Sequence, residues 1–220
     1  MNITLDTYII SDTHFGQDSI IKKERVRNLI ANNLGYENHF DLIADNWNKK
    51  VSQKDRILHL GDVYFKDGFS YLKKLNGKKM LVIGNNDVKK LDKIKSFGFE
   101  MKNKVILEIP QKEQIREKIK QKYGKIKEKI YLNGIIIDID GERILFSHFP
   151  VFNRKPNDRF DAIRDVLDDY FRFSDCSLNI HGHTHSKETN NKFCINVSIE
   201  QTMLSPIKLK KILKDYRSRL

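Results

Sequence analysis

Two carboxylates, one carboxamide and four imidazoles recur in order along the chain, each just after a short apolar run. They lie in Asp12-Thr13-His14, Gly61-Asp62, Gly84-Asn85-Asn86-Asp87, Ser147-His148 and Gly182-His183-Thr184-His185. Asp12 and His14 are two residues apart, so on extended chain both side chains point the same way and can grip one cation. His183 and His185 repeat that spacing. Mixed oxygen and nitrogen donors suit Mn, Fe, Zn, Ni or Co better than Ca or Mg, and Mn is the first ion to try. The set is large enough for two divalent ions held side by side, an arrangement suited to hydrolysing phosphate esters. Gly61 and Gly84 directly precede candidate ligands, where a missing Cβ lets the backbone turn sharply beside the ions. Asp-x-His or Gly-Asp alone is a common accident of turns; the ordered set of five is not.

A ligand at the end of a core strand is held in place by its sheet, so the intervening elements matter. Thr7 to Ser11, Arg56 to Leu60 and Lys79 to Ile83 read as buried strands. Between and after them, helices are expected from Asp18 or Ser19 through Ile30, over Phe40–Val51, over Phe69–Leu75, and from Val88 to Ser96, ending at Gly98. Val105 to Ile109 is strand-like and Pro110 breaks it. Residues 111–130 place Ile115, Ile119, Ile126 and Ile130 on one side of a helix otherwise coated in Lys and Glu, with Gly124 weakening its middle. Ile135–Ile139, Asp140-Gly141 and Arg143–Phe146 predict a hairpin with a type I′ turn. Phe160 to Phe173 reads as a helix, and Ser177–Ile180 and Phe193–Val197 as strands. Ser205-Pro206 is expected to open a last helix. Early alternation of strands and helices with hairpins later argues for an α/β fold with a mixed sheet, or two sheets packed together, in one domain spanning 1–220.

At 220 residues, with 39% hydrophobic and 32% charged residues, the chain suits one sizeable globular core. No apolar run is long enough to span a bilayer, so no membrane partner is expected. Met1 to Ile10 reads as a first strand and not as a signal peptide. Cys176 and Cys194 lack CxxC spacing and read as free thiols in a reducing cytoplasm. Of the net charge of +12, residues 111–130 and 208–219 each contribute +5. A patch for polyanions would therefore be local, and Lys coating two solvated helix faces explains the charge as simply.

SDTHFGQ, LHLGDV, VIGNND, LFSHFP, HGHTH and INVSIE with the following Pro206 resemble the calcineurin-like metallophosphoesterases. The likeness runs over nearly the whole chain and is greatest to small single-domain members from bacteria and bacteriophages. The family pattern is D-x-H, G-D, G-N-H-[DE], a lone H, then G-H-x-H. The resemblance implies two facing mixed β-sheets flanked by helices, with 111–130 as a charged helical insertion. It implies one metal on Asp12, His14, Asp62 and His185, and a second on Asp62, Asn85, His148 and His183. Asp62 would then bridge two ions roughly 3.5–4 Å apart, holding a water acidified towards about pKa 7 for in-line attack on phosphorus. Where the family has His, this chain has Asn86, whose amide can donate a hydrogen bond to substrate but cannot serve as a general acid. Asp62 and Asn86 are thus the residues expected at the chemistry, on a phosphodiester that is nucleotide-like or derived from nucleic acid.

Further residues carry alternatives. His181 could orient a ligand or touch substrate, or be a hydrogen-bonded strand histidine. His59 is structural or a replacement acid, and His39 an exposed residue. Asn153, Arg154 and Lys155 could contact phosphate, Arg154 with the better bidentate geometry; Arg25 and Arg27 are weaker candidates. Tyr64 and Phe65 could stack on a nucleobase. The 111–130 segment could cover the site, bind nucleic acid or support a homodimer, although folding onto its own domain buries its isoleucines most simply. A phosphomonoesterase, a nuclease using the basic segments, and a catalytically weak metal-binding scaffold remain as rival functions.

Overall fold

The computed structural model describes residues 2–124, 133–154, 157–189 and 191–219. Its strands are β1 (Tyr8–Ile10), β2 (Arg56–His59), β3 (Lys78–Leu81), β4 (Phe99–Met101), β5 (Val105–Glu108), β6 (Gly134–Ile139), β7 (Glu142–Ser147), β8 (Leu178–His181), β9 (Cys194–Asn196) and β10 (Ile207–Lys208). Its helices are α1 (Val26–Asn33), α2 (His39–Lys50), α3 (Phe69–Leu72), α4 (Leu91–Ser96), α5 (Lys112–Tyr123), α6 (Asp161–Phe173) and α7 (Leu209–Arg217).

The strands form two five-stranded mixed sheets, ordered β10-β1-β2-β3-β4 and β5-β6-β7-β8-β9. Alternation within each strand decides what lies on either face. Ile9, Leu58 and Met80 of the first sheet meet Ile135, Ile144, Phe146 and Ile180 of the second in one core. The opposite residues, Ile10, Ile57 and Leu81, pack beneath α2 with Trp47 and Ile43. On the outer face of the second sheet, Ile136 and Leu145 lie against α5 and α6 through Ile115, Ile119, Val166 and Leu167. Two facing sheets flanked by helices are the expected architecture. No helix among the described residues is long and apolar enough to cross a membrane.

The departures have local causes. The first helix is interrupted: a 3-10 turn over Asp18–Lys22 precedes α1, and neither start has a side-chain cap. The helices expected over 69–75 and 88–96 are shorter, at Phe69–Leu72 and Leu91–Ser96. Past Gly98, where the sequence pointed to no element, Phe99 and Met101 are buried and β4 pairs in parallel with β3. Ser205-Pro206 does not open the last helix. Ile207 and Lys208 instead pair antiparallel with Ile9 and Tyr8, and α7 begins at Leu209. Gly124, at φ +64°, ends α5 instead of weakening its middle. Ile126 and Ile130 lie outside the described residues.

His39, expected at the surface, is buried against Phe40 with Nδ1 3.1 Å from Asn28 Oδ1. Burial, helped by the charge of Arg27, pushes its pKa down to about 4. It is neutral in the fold but takes up a proton on unfolding, so stability falls as the pH drops from 6.5 towards 4. In urea titrations across that range, His39→Gln should flatten the decline by up to about 1.4 kcal/mol per pH unit. An unchanged slope would mean that His39 titrates alike in both states.

Candidate metal centre

The candidate ligands leave the carboxyl ends of five strands. Asp12 and His14 follow β1, Asp62 follows β2, and Asn85 and Asn86 follow β3, all on the first sheet. His148 follows β7, while His183 and His185 follow β8, on the second. These strand pairs run parallel (β1 with β2, β2 with β3, β7 with β8), so within each sheet the ends emerge at one edge.

Just past the strands the backbone turns left-handed at Asp12, His14, Asp62, His183 and His185, with φ between 48° and 68°. Such conformations in non-glycine residues cost of order 1–3 kcal/mol each and persist only where surrounding structure holds them. Close approach is part of that hold. A Cβ on Gly61 would lie 2.6 Å from Gly84 Cα, and one on Gly84 would lie 2.3 Å from Asp62 Oδ1. The Asp87 carboxylate ties the same loops together, accepting from the backbone N–H of Asp62 (2.8 Å), Val63 (2.9 Å) and Gly84 (2.9 Å). Burial and the Asp62 charge push its pKa up to about 6 against those bonds.

The ligand atoms converge. His14 Nε2 lies 3.5 Å and His148 Nε2 3.7 Å from the same oxygen, Asp62 Oδ2. Asp12 Oδ1 is 3.7 Å from His14 Nε2 and 4.0 Å from His185 Nε2. On the other side, His148 Nε2 is 3.0 Å from Asn85 Oδ1 and 3.2 Å from His183 Nδ1. The donor atoms of Asp12, His14 and His185, and those of Asp12, Asp62 and His148, lie within 4.8 Å of one another. All seven predicted ligands are therefore brought together, with Asp12 near both groups.

The residues fit divalent cations. Asp12 Oδ1 and His14 Nε2 are buried without a hydrogen-bond partner, a costly state that a cation would relieve. Burial and the neighbouring His148 push His183 down to about 2, which keeps its ring neutral and its lone pair available. Burial raises Asp12, but His14, His185 and His148 outweigh it and hold the carboxylate well below its usual range.

Outer contacts set the imidazole tautomers. His14 Nδ1 lies 2.6 Å from Gln17 Oε1, His148 Nδ1 2.8 Å from Leu60 O, and His185 Nδ1 3.1 Å from Glu200 Oε1. Each acceptor favours the proton on Nδ1, the tautomer that would leave Nε2 free to meet a cation. Glu200 is itself held by Arg27, whose Nε and Nη2 donate to Oε1 at 2.7 and 2.5 Å. Arg27 also donates to the carbonyls of Asp12 (2.8 Å) and Thr13 (3.1 Å), so it clamps the first ligand loop and is fully buried. Burial lowers the His185 pKa, but Glu200 and Asp12 outweigh it and raise the value overall. Removing that charge with Glu200→Gln should weaken metal binding through His185 by about 10–100-fold. Titration of metal-free protein with Mn measures this; unchanged affinities would show that Glu200 does not support the His185 ligand.

Several expectations change. His181 is fully buried and its Nδ1 donates to the Gly182 carbonyl at 2.8 Å, so it lies beneath the ligand loop and not at the substrate. His59 is no replacement acid: it is fully buried, its Nδ1 accepts from Gly61 N–H, and its Nε2 pairs with Thr13 Oγ1. Arg154 is taken up by Asp165 and by Asp168 at 2.8 Å instead of facing the ligands. Tyr64 is buried, whereas Phe65 is 40% exposed. Asn86 is exposed, with Nδ2 donating to Asp62 Oδ2 at 2.5 Å and its backbone N–H to Asp62 Oδ1 at 2.8 Å. The sequence reading missed Gln17, Glu200 and the Asp87 tie. All three close segments that carry the family resemblance, Gln17 in SDTHFGQ, Asp87 in VIGNND and Glu200 in INVSIE, but nothing local gave them a role.

Residues 5–199 match the family model described as the calcineurin-like phosphoesterase superfamily domain. Among solved structures, a protein of unknown function from Aquifex aeolicus is 27% identical, with a TM-score of 0.65 over 94% of this chain and 97% of that one. An archaeal phosphodiesterase aligns at 16% identity and a TM-score of 0.39, over 87% of this chain and 82% of that one. Vacuolar protein sorting 29 from Cryptosporidium parvum aligns at 17% and 0.33, over 86% and 72%. The last two overlaps are too loose to bear on activity. No curated protein matches the sequence significantly.

Proposed function

Because the chain belongs to the calcineurin-like phosphoesterase superfamily, we propose that it is a dinuclear metal-dependent phosphodiesterase acting on nucleotide-like or nucleic-acid-derived esters. The observation that carries this reading is the approach of His14 Nε2 and His148 Nε2 to one oxygen of Asp62. A carboxylate so flanked suits a shared ligand. Asp12, His14, Asp62 and His185 would hold one ion, and Asp62, Asn85, His148 and His183 the other. When bound, two such ions supply Lewis acidity to phosphoryl oxygens and acidify water.

The diester preference comes from Asn86. Its exposed amide can donate to a phosphoryl oxygen but brings no positive charge and no transferable proton. A monoester dianion gathers more charge at its terminal oxygens than a diester monoanion, so a neutral donor there is less well matched to the monoester. The complete ligand set favours catalysis over a scaffold, which gains nothing from seven converging donors.

Mn-loaded protein assayed with bis(p-nitrophenyl) phosphate and p-nitrophenyl phosphate tests both halves of the proposal. Diester turnover should be the faster. Faster monoester turnover would overturn the preference, and hydrolysis of neither by protein carrying two ions would overturn the enzyme.

A further inference from the structure

A cleft of about 610 Å³ opens beside Asn85 and Asn86, within the roughly 300–1,000 Å³ span of small-molecule sites. Its apolar walls are Phe65 on one side and Phe149, Phe160 and Ile163 on the other. The aromatic wall begins at the candidate ligands themselves: the Phe149 ring is 4.6 Å from that of His183, and the Phe160 ring 6.1 Å. Three cations also line the cleft and no carboxylate does. Lys90 is spent on the Tyr64 carbonyl and on the rings of Tyr64, 4.7 Å away, and Phe65, 5.6 Å away. Lys89 and Arg159 are exposed and form no ion pair among the described residues. The Arg159 guanidinium lies 4.6 Å from the Phe160 ring.

An aliphatic chain would use the apolar walls but leave the cations idle. A lone phosphate would use the cations but leave the exposed Phe65 and the half-buried Phe160 idle. A flat aromatic ring that carries further negative charge uses both, through stacking and charge-assisted hydrogen bonds. We propose that this cleft seats the nucleotide portion of the substrate. The base lies against Phe65 and Phe160, and a second phosphate meets Lys89 and Arg159. The proposal rests on the phosphoesterase reading only for where the reacting phosphate sits. It adds a substrate class, namely esters of nucleotides that carry more than one phosphate.

Calorimetry on the Mn-loaded protein tests it without turnover. Adenosine 5′-monophosphate should bind at least about 10-fold tighter than ribose 5-phosphate, which shares the phosphate but lacks the base. Adenosine 5′-diphosphate should bind tighter again, and Arg159→Ala should erase that second gain. Ala162→Trp fills the cleft from an exposed position on the first turn of α6, and should erase the preference for the base; a melting curve checks that it folds. Equal binding of adenosine 5′-monophosphate and ribose 5-phosphate, or a base preference that survives Ala162→Trp in folded protein, would overturn the subsite. Failure of the hydrolase reading would look different: the base preference would persist, yet neither thymidine 5′-monophosphate p-nitrophenyl ester nor methyl p-nitrophenyl phosphate would be cleaved. If the enzyme and the subsite both stand, the thymidine ester is cleaved with the higher kcat/KM, although the two share a leaving group.

Discussion

Asp62→Asn should reduce bound Mn from two ions to at most one and lower diester hydrolysis by more than about 100-fold. Loss of an outer contact to a ligand costs about 10–100-fold, and Asp62 is closer in than any such contact. Its Oδ2 is the oxygen approached by both His14 and His148, so one substitution removes charge from both positions. Stability gives an independent readout. An ion present at 100 times its dissociation constant stabilises the fold by about 2.7 kcal/mol, and at this chain length each kcal/mol moves Tm by about 2–4 °C. Mn should therefore raise the wild-type Tm by about 5–11 °C and the variant's by much less. Metal analysis after gel filtration and paired melting curves would measure this. A variant that keeps two ions and the full shift would remove Asp62 from the centre of the site.

The second large effect is a gain. Asn86→His would place an imidazole where an exposed amide now faces Asp62. A general acid is typically worth about 10²–10⁴-fold where the leaving group needs a proton. Hydrolysis of alkyl phosphate esters should rise by about 10²-fold, near the lower end of that range, because Asn86 has not been surrounded by groups that tune an acid. Nitrophenyl esters leave without a proton and should change little. The pH profile should change in parallel: the acid must be protonated to act, so the gained rate should fall as the pH rises through the histidine pKa, near about 6.5 if unperturbed. Equal changes for both ester types would show that the position works through charge or sterics and not through proton transfer.

What could be read in the sequence was what depends on near neighbours. Asp12 and His14, or His183 and His185, stand out as pairs and the strands before them as apolar runs, although the left-handed backbone at all four replaces the extended chain that their spacing suggested. The facing sheets were legible only through the family resemblance: Ile9 and Ile10 are alike in sequence, yet one faces the second sheet and the other packs beneath α2. The unread parts depend on partners far along the chain. Arg27 and Glu200 meet across 173 residues, and nothing local to either distinguishes a buried clamp from a solvated charge. His39 stands beside a helix start among polar residues, and only the fold closes over it. Strand β10 has two residues, too few for any periodicity, and owes its existence to the edge that β1 offers. The loop carrying Arg154 misled in the opposite way: its charge suggested a ligand contact, but Asp165 and Asp168 on the neighbouring helix satisfy it first.

The division of the ligands between the two sheets has a consequence for how the centre comes into being. Asp12, His14, Asp62, Asn85 and Asn86 belong to one half-molecule, and His148, His183 and His185 to the other. Under the proposed assignment neither half offers a full set of donors to either ion. A complete ligand set for either ion then requires both halves, and once made it acts as a latch across the seam between them. During synthesis the early strands offer three donors to one ion and two to the other, and the later histidines complete both sets only as β10 closes the first sheet.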